Sequence, residues 1–234
     1  MRLVLTAHGS ADPRSAATTH AVADQIRLLR PALDVTVAFC EKNSPNLRDV
    51  LCTTDGPAVV TPLLLASAYH ARVDIPEMIA DAGADVLQAD TLGEDPRLVQ
   101  VMRERLAQAG VPGDAPDVGV LVVAVGSSQP QANARTATLG DALADGAGWA
   151  GVQVAYATGP QPSVLDGIDL LRDRGASRVV LAPWFIAPGR ITDRVAEIAS
   201  AAGIVMAAPL GAHPLLAQAV LDRYDVAVAQ RAAA

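Results

Sequence analysis

The chain has 234 residues, of which 51% are hydrophobic and 18% charged, so it can bury a sizeable core as one large domain or as two smaller ones. Its net charge of −7 argues against a nucleic-acid-binding protein, although a local basic patch for an anionic ligand remains compatible with it. Lys42 is the only lysine, which excludes a P-loop, because that ATP-binding motif needs a lysine at a fixed distance after a glycine.

The cysteines, the first residues and the apolar runs together predict a cytoplasmic protein. Cys40 and Cys52 fit no C-x-x-C spacing, and two cysteines do not make a disulfide framework. The first residues lack the charged-then-apolar pattern of a signal peptide, and no apolar run reaches the length of a membrane span. We therefore expect a cytoplasmic protein with neither a nucleic acid nor a membrane as partner.

Strands and helices are predicted to alternate along the chain. In the first half the predicted order is strand 2–7, helix 15–29, strand 34–40, a helix from Pro45 with Ser44 as its N-cap, strand 58–65, helix 73–82, a weak strand 85–89 and helix 95–109. In the second half it is strand 119–125, helix 131–145, strand 151–157, helix 161–174, strand 177–186, helix 190–202, strand 204–208 and helix 213–229. This alternation predicts an α/β fold with parallel sheets and helices on both faces.

The two halves share an internal repeat. A constant offset of 117 positions relates Gly9 to Gly126, Pro13 to Pro130, Val37 to Val154 and Pro45 to Pro162. A constant offset over some forty residues indicates a duplication. We therefore predict two lobes, at 1–110 and 118–234, joined by a proline- and glycine-containing linker at 111–117. Each lobe should hold a parallel four-stranded sheet flanked by helices, with a cleft between the lobes.

Three polar residues follow strands of the first half. His8 follows the first strand, Glu41 the second, and His70 the loop beyond the third. Parallel strands end at the same edge of a sheet, where open α/β folds bind their ligands. Two imidazoles and a carboxylate suit a borderline divalent metal such as Fe²⁺, Co²⁺ or Ni²⁺, and they also suit proton transfer.

The second half lacks all three groups. His8 aligns with Val125, Glu41 with Thr158, and His70 with the neighbourhood of Ile191. The duplicate therefore keeps the fold and loses the polar groups together, which favours a functional role over a structural one.

Two further histidines have structural interpretations. His20 lies inside a predicted helix and is expected at the surface or in packing. His213 aligns with Asp95, each preceding a proline, which indicates a role at a helix N-terminus or in a loop rather than in metal binding.

Several motifs resemble the sirohydrochlorin chelatases, the small class II chelatases of sirohaem and cobalamin synthesis. The motifs are His-Gly-Ser at 8–10, Asp-Pro-Arg at 12–14, Ala-Phe-Cys-Glu at 38–41, Tyr-His-Ala-Arg-Val-Asp-Ile-Pro at 69–76 and Leu-Gly-x-Asp-Pro at 92–96. The resemblance covers essentially the whole chain, as a fused form of a smaller homodimeric ancestor. It implies a monomer with an internal pseudo-dimer.

The resemblance implies insertion of a divalent metal into sirohydrochlorin without ATP. Fe²⁺ is the first choice and Co²⁺ the second, each as a substrate, with no permanent cofactor. His8 and His70 would bind the metal and accept pyrrole protons, and Glu41 would assist as a ligand or a proton acceptor.

Sirohydrochlorin carries many carboxylates, so groups that bind anions are expected around the site. The candidates are Gly9, Ser10, Arg14, Arg72, Arg190 and Arg194, although a solvated surface role is about as expected for any single arginine. Asp74 is expected to cap its helix or to orient His70. A non-catalytic carrier of metal or tetrapyrrole is the competing interpretation, and a metal-dependent hydrolase is disfavoured because no second carboxylate cluster is present.

Overall fold

The computed structural model describes residues 1–67, 69–83 and 85–233, and the side chain of His70 also lies outside the described part. Within these residues the chain forms two parallel sheets of four strands each, flanked by helices, as predicted. In the same described residues, no helix is both long and apolar enough to cross a membrane.

The strands and helices alternate along both halves. The strands are β1 Arg2–Ala7, β2 Val35–Phe39, β3 Ala58–Pro62, β4 Val86–Gln88, β5 Val118–Ala124, β6 Gly151–Tyr156, β7 Arg178–Pro183 and β8 Val205–Met206. The helices are α1 Pro13–Leu29, α2 Leu47–Cys52, α3 Ile75–Ala82, α4 Pro96–Gln108, α5 Pro130–Ala137, α6 Leu139–Ala144, α7 Val164–Asp173, α8 Arg190–Ala201 and α9 Pro214–Ala233. A π-helical turn, His70–Asp74, runs directly into α3.

Both sheets have the same strand order. The first is β2-β1-β3-β4 and the second β6-β5-β7-β8, with every pair parallel. The direction in which strands are added reverses in each sheet: β2 lies on one side of β1 and β3 on the other, and β6 and β7 flank β5 in the same way. Ligands of open α/β sheets bind at the carboxyl ends of strands beside such a reversal. In the first sheet this position lies at the end of β1, directly before His8.

The central strands are apolar because helices cover both of their faces. Leu3, Val4 and Leu5 of β1 are fully buried, and every residue of β5 is buried. Sheets covered on both faces have continuous apolar strands rather than alternating ones. These two strands therefore form the rigid centre from which the polar loops emerge.

The chain divides into two compact units, residues 1–93 with 212–234, and residues 94–211. These units differ from the predicted lobes 1–110 and 118–234, because the last helix of each half packs on the sheet of the other half. Helix α9 contacts α1 and β3, whereas α4 contacts α6 and β7.

Equivalent arginines anchor the two exchanged helices. Arg223 of α9 donates to the carbonyls of residues 91 and 92, and Arg105 of α4 donates to those of residues 209 and 210. Each guanidinium thus bonds to carbonyls in a loop of the opposite half and helps to hold its helix there. Sequence order alone would pair each helix with the sheet of its own half.

Some predicted boundaries are wrong. Helix α2 begins at Leu47 with Asn46 as its N-cap, and not at Pro45 with Ser44 as the cap. The Pro45 carbonyl accepts a hydrogen bond from the Phe39 N–H at 3.0 Å, so this segment pairs with the end of β2 and cannot start a helix. The third strand ends at Pro62 rather than at residue 65, since Leu63 is buried in a loop and prolongs the apolar pattern without being in the strand.

The predicted helix 131–145 is divided into α5 and α6 at Thr138. The Thr138 hydroxyl and backbone N–H both bond to the Arg135 carbonyl, at 2.7 Å and 3.0 Å. Side-chain hydroxyls that compete for helix carbonyls bend or end a helix. The predicted helix 73–82 likewise differs, because helical structure begins three residues earlier, in the π-helical turn.

Candidate active site

The loops after β1 and β2 meet in a close backbone contact. Gly9 has a φ of 95°, and a Cβ at this position would overlap the carbonyl oxygen of Glu41. The Glu41 N–H in turn donates to the His8 carbonyl at 3.0 Å. Only glycine combines this φ with such an approach, so the His-Gly sequence brings His8 and Glu41 together.

The imidazole of His8 has two polar neighbours at Nδ1. Its Nδ1 lies 2.8 Å from the Gly9 carbonyl oxygen and 3.5 Å from Oε1 of Glu41. A carbonyl oxygen can only accept, so the neutral ring that fits this contact carries its proton on Nδ1 and the lone pair on Nε2. Histidines that bind metals usually donate their other ring N–H to a carbonyl or a carboxylate in this way. The Nε2 atom of His8 can therefore bind a metal or accept a proton.

Glu41 is paired with the residue that follows it. Its Oε1 lies 2.7 Å from Nζ of Lys42, and both side chains are about half exposed. Lys42 has a φ of 61°, rare for a residue with a side chain. The prediction of the site did not include Lys42, although its being the only lysine, directly after a candidate ligand, is a signal in the sequence.

The π-helical turn approaches the end of β2. Burial, together with the carboxylates of Asp74 and Glu41, raises the pKa of the Cys40 thiol to about 11. Asp74 closes the π-helical turn, so this turn lies near enough to Cys40 for its charge to act there. Asp74 has helical dihedral angles and makes no side-chain capping bond to α3, because the chain is already helical before it. The prediction that Asp74 caps this helix is therefore wrong.

His70 begins this turn, but its side chain is outside the described part of the structure. The described residues contain no group of three or more His, Cys, Asp and Glu side chains able to hold a metal. The structure therefore brings His8 and Glu41 together, and the third predicted ligand stays a prediction.

The backbone N–H and the hydroxyl oxygen of Ser10 already take part in internal hydrogen bonds. Its backbone N–H donates to Oδ1 of Asn43 at 2.7 Å, and its hydroxyl accepts from the Asp12 N–H at 3.0 Å. Arg14 forms an ion pair with Asp12, the N-cap of α1, at 2.6 Å. An anion would therefore compete with internal bonds at Ser10 and Arg14, and their substrate-binding role stays a prediction.

The other candidate arginines are exposed. Arg72 lies in the π-helical turn of the first compact unit. Arg190 begins α8 and Arg194 lies one turn later, both in the second unit. Their part in binding substrate also stays a prediction.

The two remaining histidines have the structural roles expected of them. His213 accepts a hydrogen bond at Nδ1 from the Leu215 N–H at 3.2 Å, as Oδ1 of Asp95 does from the Arg97 N–H at 3.0 Å. His20 is exposed on α1 and packs edge-on against Phe39, with ring centroids 5.9 Å apart.

The second sheet has the same corner without its polar groups. A Cβ at Gly126 would overlap the Gly159 carbonyl, as at Gly9 and Glu41. Thr158 turns its hydroxyl back to the Val125 carbonyl at 2.8 Å. A cavity of about 590 Å³ adjoins this corner and is lined by residues that include Gly126, Thr158 and Gly159. The backbone geometry therefore does not require a histidine or a glutamate.

The sequence of the chain matches the model of one protein family. The sequence model described as CbiX matches residues 2–109 and, a second time, residues 119–227. The two matches correspond to the repeated halves of the chain.

Two curated relatives come from Priestia megaterium. The chain is 27% identical to a sirohydrochlorin ferrochelatase over 170 residues, which cover 69% of this chain and 64% of the relative. It is 25% identical to a sirohydrochlorin cobaltochelatase over 175 residues, covering 70% of this chain and 57% of the relative. The matched region thus spans less than two thirds of the length of either relative.

A solved structure has the same architecture. SirB from Bacillus subtilis, determined with Fe³⁺, superposes with a TM-score of 0.85 at 20% sequence identity, over 100% of this chain and 98% of that one. At this identity the likeness establishes a common fold.

Proposed function

The chain belongs to the CbiX family, and we propose that it inserts a divalent metal into sirohydrochlorin without ATP, with Fe²⁺ as the first choice and Co²⁺ as the second. Of the two relatives from Priestia megaterium, one is named a ferrochelatase and the other a cobaltochelatase. The observation that carries the proposal is the His8 imidazole, whose Nδ1 lies 2.8 Å from the Gly9 carbonyl, the second-atom contact that is usual for a histidine that binds a metal.

The metal substrate binds first at Nε2 of His8, and Glu41, whose Oε1 lies 3.5 Å from Nδ1 of the same ring, assists as a second ligand or as a proton acceptor. An imidazole nitrogen and a carboxylate oxygen suit Fe²⁺ and Co²⁺, since both are borderline ions that accept mixed ligands. His70, at the start of the π-helical turn, is the proposed third ligand on the basis of its sequence position.

Insertion exchanges one divalent ion for two protons. The metal forms bonds to the tetrapyrrole nitrogens, and the two pyrrole N–H groups lose their protons, so no redox step and no nucleotide is required. A metal and a proton compete for the single lone pair of Nε2. As the metal leaves His8 for the macrocycle, Nε2 can accept one proton, and Glu41 or His70 accepts the other.

Arginine side chains are proposed to hold the carboxylates of the tetrapyrrole. The guanidinium group forms bidentate hydrogen bonds with a carboxylate, and Arg14, Arg72, Arg190 and Arg194 are exposed at loops or helix starts. We further propose that the chain acts in the cytoplasm as a monomer with an internal pseudo-dimer. Its two cysteines are free thiols, as in a reducing compartment.

The test mixes the purified protein with sirohydrochlorin and Fe²⁺ or Co²⁺ without oxygen and follows the absorbance change. We expect the wild type to exceed the uncatalysed rate and His8→Ala to lose about 100-fold in kcat/KM. His213→Asp is the matched control, because it removes an imidazole while keeping a capping residue, and it should retain the wild-type rate.

Two results would contradict the proposal. A wild-type rate equal to the uncatalysed rate would exclude the chelatase, and tight metal binding without acceleration would favour a carrier. Equal losses in His8→Ala and His213→Asp would mean that the site is misplaced.

A further inference from the structure

The π-helical turn that carries His70 has an unusual hydrogen-bonding partner. Hydrogen bonds in a π-helix span five residues rather than four, so a π-helical turn shifts the partners of its carbonyl groups. Ala71, the second residue of the turn, is buried, and a buried carbonyl group needs a partner from the protein. Gln88 provides it, donating from Nε2 to the Ala71 carbonyl oxygen at 2.7 Å.

Gln88 is well placed to fix this turn. It is the last residue of β4 and lies at the carboxyl edge of the first sheet, where its backbone is held in the sheet beside Val60. Its amide therefore joins a strand of fixed position to the residue directly after His70. The bond acts on the backbone of the turn that begins at His70.

The second half of the chain offers an internal comparison. Gln88 pairs with Val60 in the first sheet, and Met206 pairs with Leu181 at the same register in the second. There Met206 packs against the hydrophobic core, and α8 begins as an ordinary α-helix at Arg190. The glutamine thus occurs in the half that has the π-helical turn and His70, and a methionine in the half whose equivalent segment, at the start of α8, has neither.

We propose that Gln88 is a positioning residue that holds the π-helical turn in place so that His70 can bind the metal substrate. This inference rests on the proposed function of the first-half site. Gln88 acts through the backbone of the turn, and its loss should weaken metal binding by about 10-fold, as is typical when a partner behind a metal ligand is removed.

The test is a double-mutant cycle of Gln88→Met and His70→Ala, read by calorimetric titration with Co²⁺ alone. Gln88→Met introduces the residue of the equivalent position, so it fits an apolar strand end without a large change in volume. We expect about 10-fold weaker Co²⁺ binding in Gln88→Met, and less than a 2-fold further change when this substitution is added to His70→Ala. Met206→Gln in the second half is the matched control and should bind Co²⁺ as the wild type does.

The outcomes separate this inference from the proposed function. If wild type binds Co²⁺ but does not accelerate insertion, the chelatase proposal fails while the cycle still decides the role of Gln88. If Gln88→Met binds Co²⁺ within 2-fold of wild type, the inference is overturned. It is also overturned if the loss persists at full size in His70→Ala, because a general structural defect would not depend on the histidine. A thermal melt checks that each variant is folded.

Discussion

Removing the charge of Lys42 should strengthen metal binding. The Lys42 ammonium lies 2.7 Å from Oε1 of Glu41, where a divalent metal would also bind. Coulomb's law gives about 1.5 kcal/mol for two unit charges at this distance in bulk water. Both side chains are about half exposed, and such surface pairs contribute about 0.2–1 kcal/mol when measured. Because the metal must displace the ammonium or lie beside it, Lys42→Met should bind Co²⁺ about 1.5- to 5-fold more tightly.

Calorimetric titration with Co²⁺ at low salt measures this difference, and Lys42→Arg is the control that keeps the positive charge. The gain in Lys42→Met should shrink at high salt, since exposed charges are then screened. Weaker Co²⁺ binding in Lys42→Met, or an equal gain in Lys42→Arg, would refute the idea that the ammonium competes with the metal for Glu41.

Three further predictions concern stability. Gly9→Ala should lower the free energy of unfolding, measured by chemical denaturation, by about 3 kcal/mol, because its Cβ would overlap the Glu41 carbonyl. Gly56 also has a positive φ but open space around it, so Gly56→Ala should lower the same free energy by only about 1 kcal/mol. Thr61→Val should raise the melting temperature by about 2–4 °C, since the fully buried Thr61 hydroxyl finds no hydrogen-bond partner among the described residues; a fall in melting temperature would show that this hydroxyl is satisfied. The raised pKa of Cys40, about 11, means that the folded state disfavours the thiolate, so stability should be complete below pH 9 and fall between about pH 9 and 11. Denaturation across this pH range should show a smaller fall in Cys40→Ala, and an unchanged fall would assign it to other groups.

Two of the polar residues that follow strands lie close together in the structure. His8 and Glu41 follow different strands, and the structure brings them within 3.5 Å because parallel strands end at one edge of the sheet. The sequence did not indicate the contact at Gly9 that sets their distance, since a glycine after a strand is also common in ordinary turns. Asn43, which holds the Ser10 N–H, was likewise missed because the loop after Glu41 has no periodic pattern.

Local patterns predicted the helices better than their packing. The alternation of strands and helices located α4 and α9 close to their observed bounds. It could not show that each packs on the sheet of the other half, because periodicity reports which face of a helix is apolar and not which sheet that face meets. The sequence also predicts a loop up to His70 and a helix only from residue 73, because no residue type in 70–74 distinguishes a π-helical turn from a loop or an α-helix.

The position of a bound metal tests the central claim most directly. Crystals of the protein soaked with Co²⁺ would locate the ion by its anomalous scattering. We predict a peak about 2.1 Å from Nε2 of His8, on the side of the ring away from the Gly9 carbonyl. A peak bonded to Nδ1, or one away from His8 and Glu41 altogether, would contradict the account.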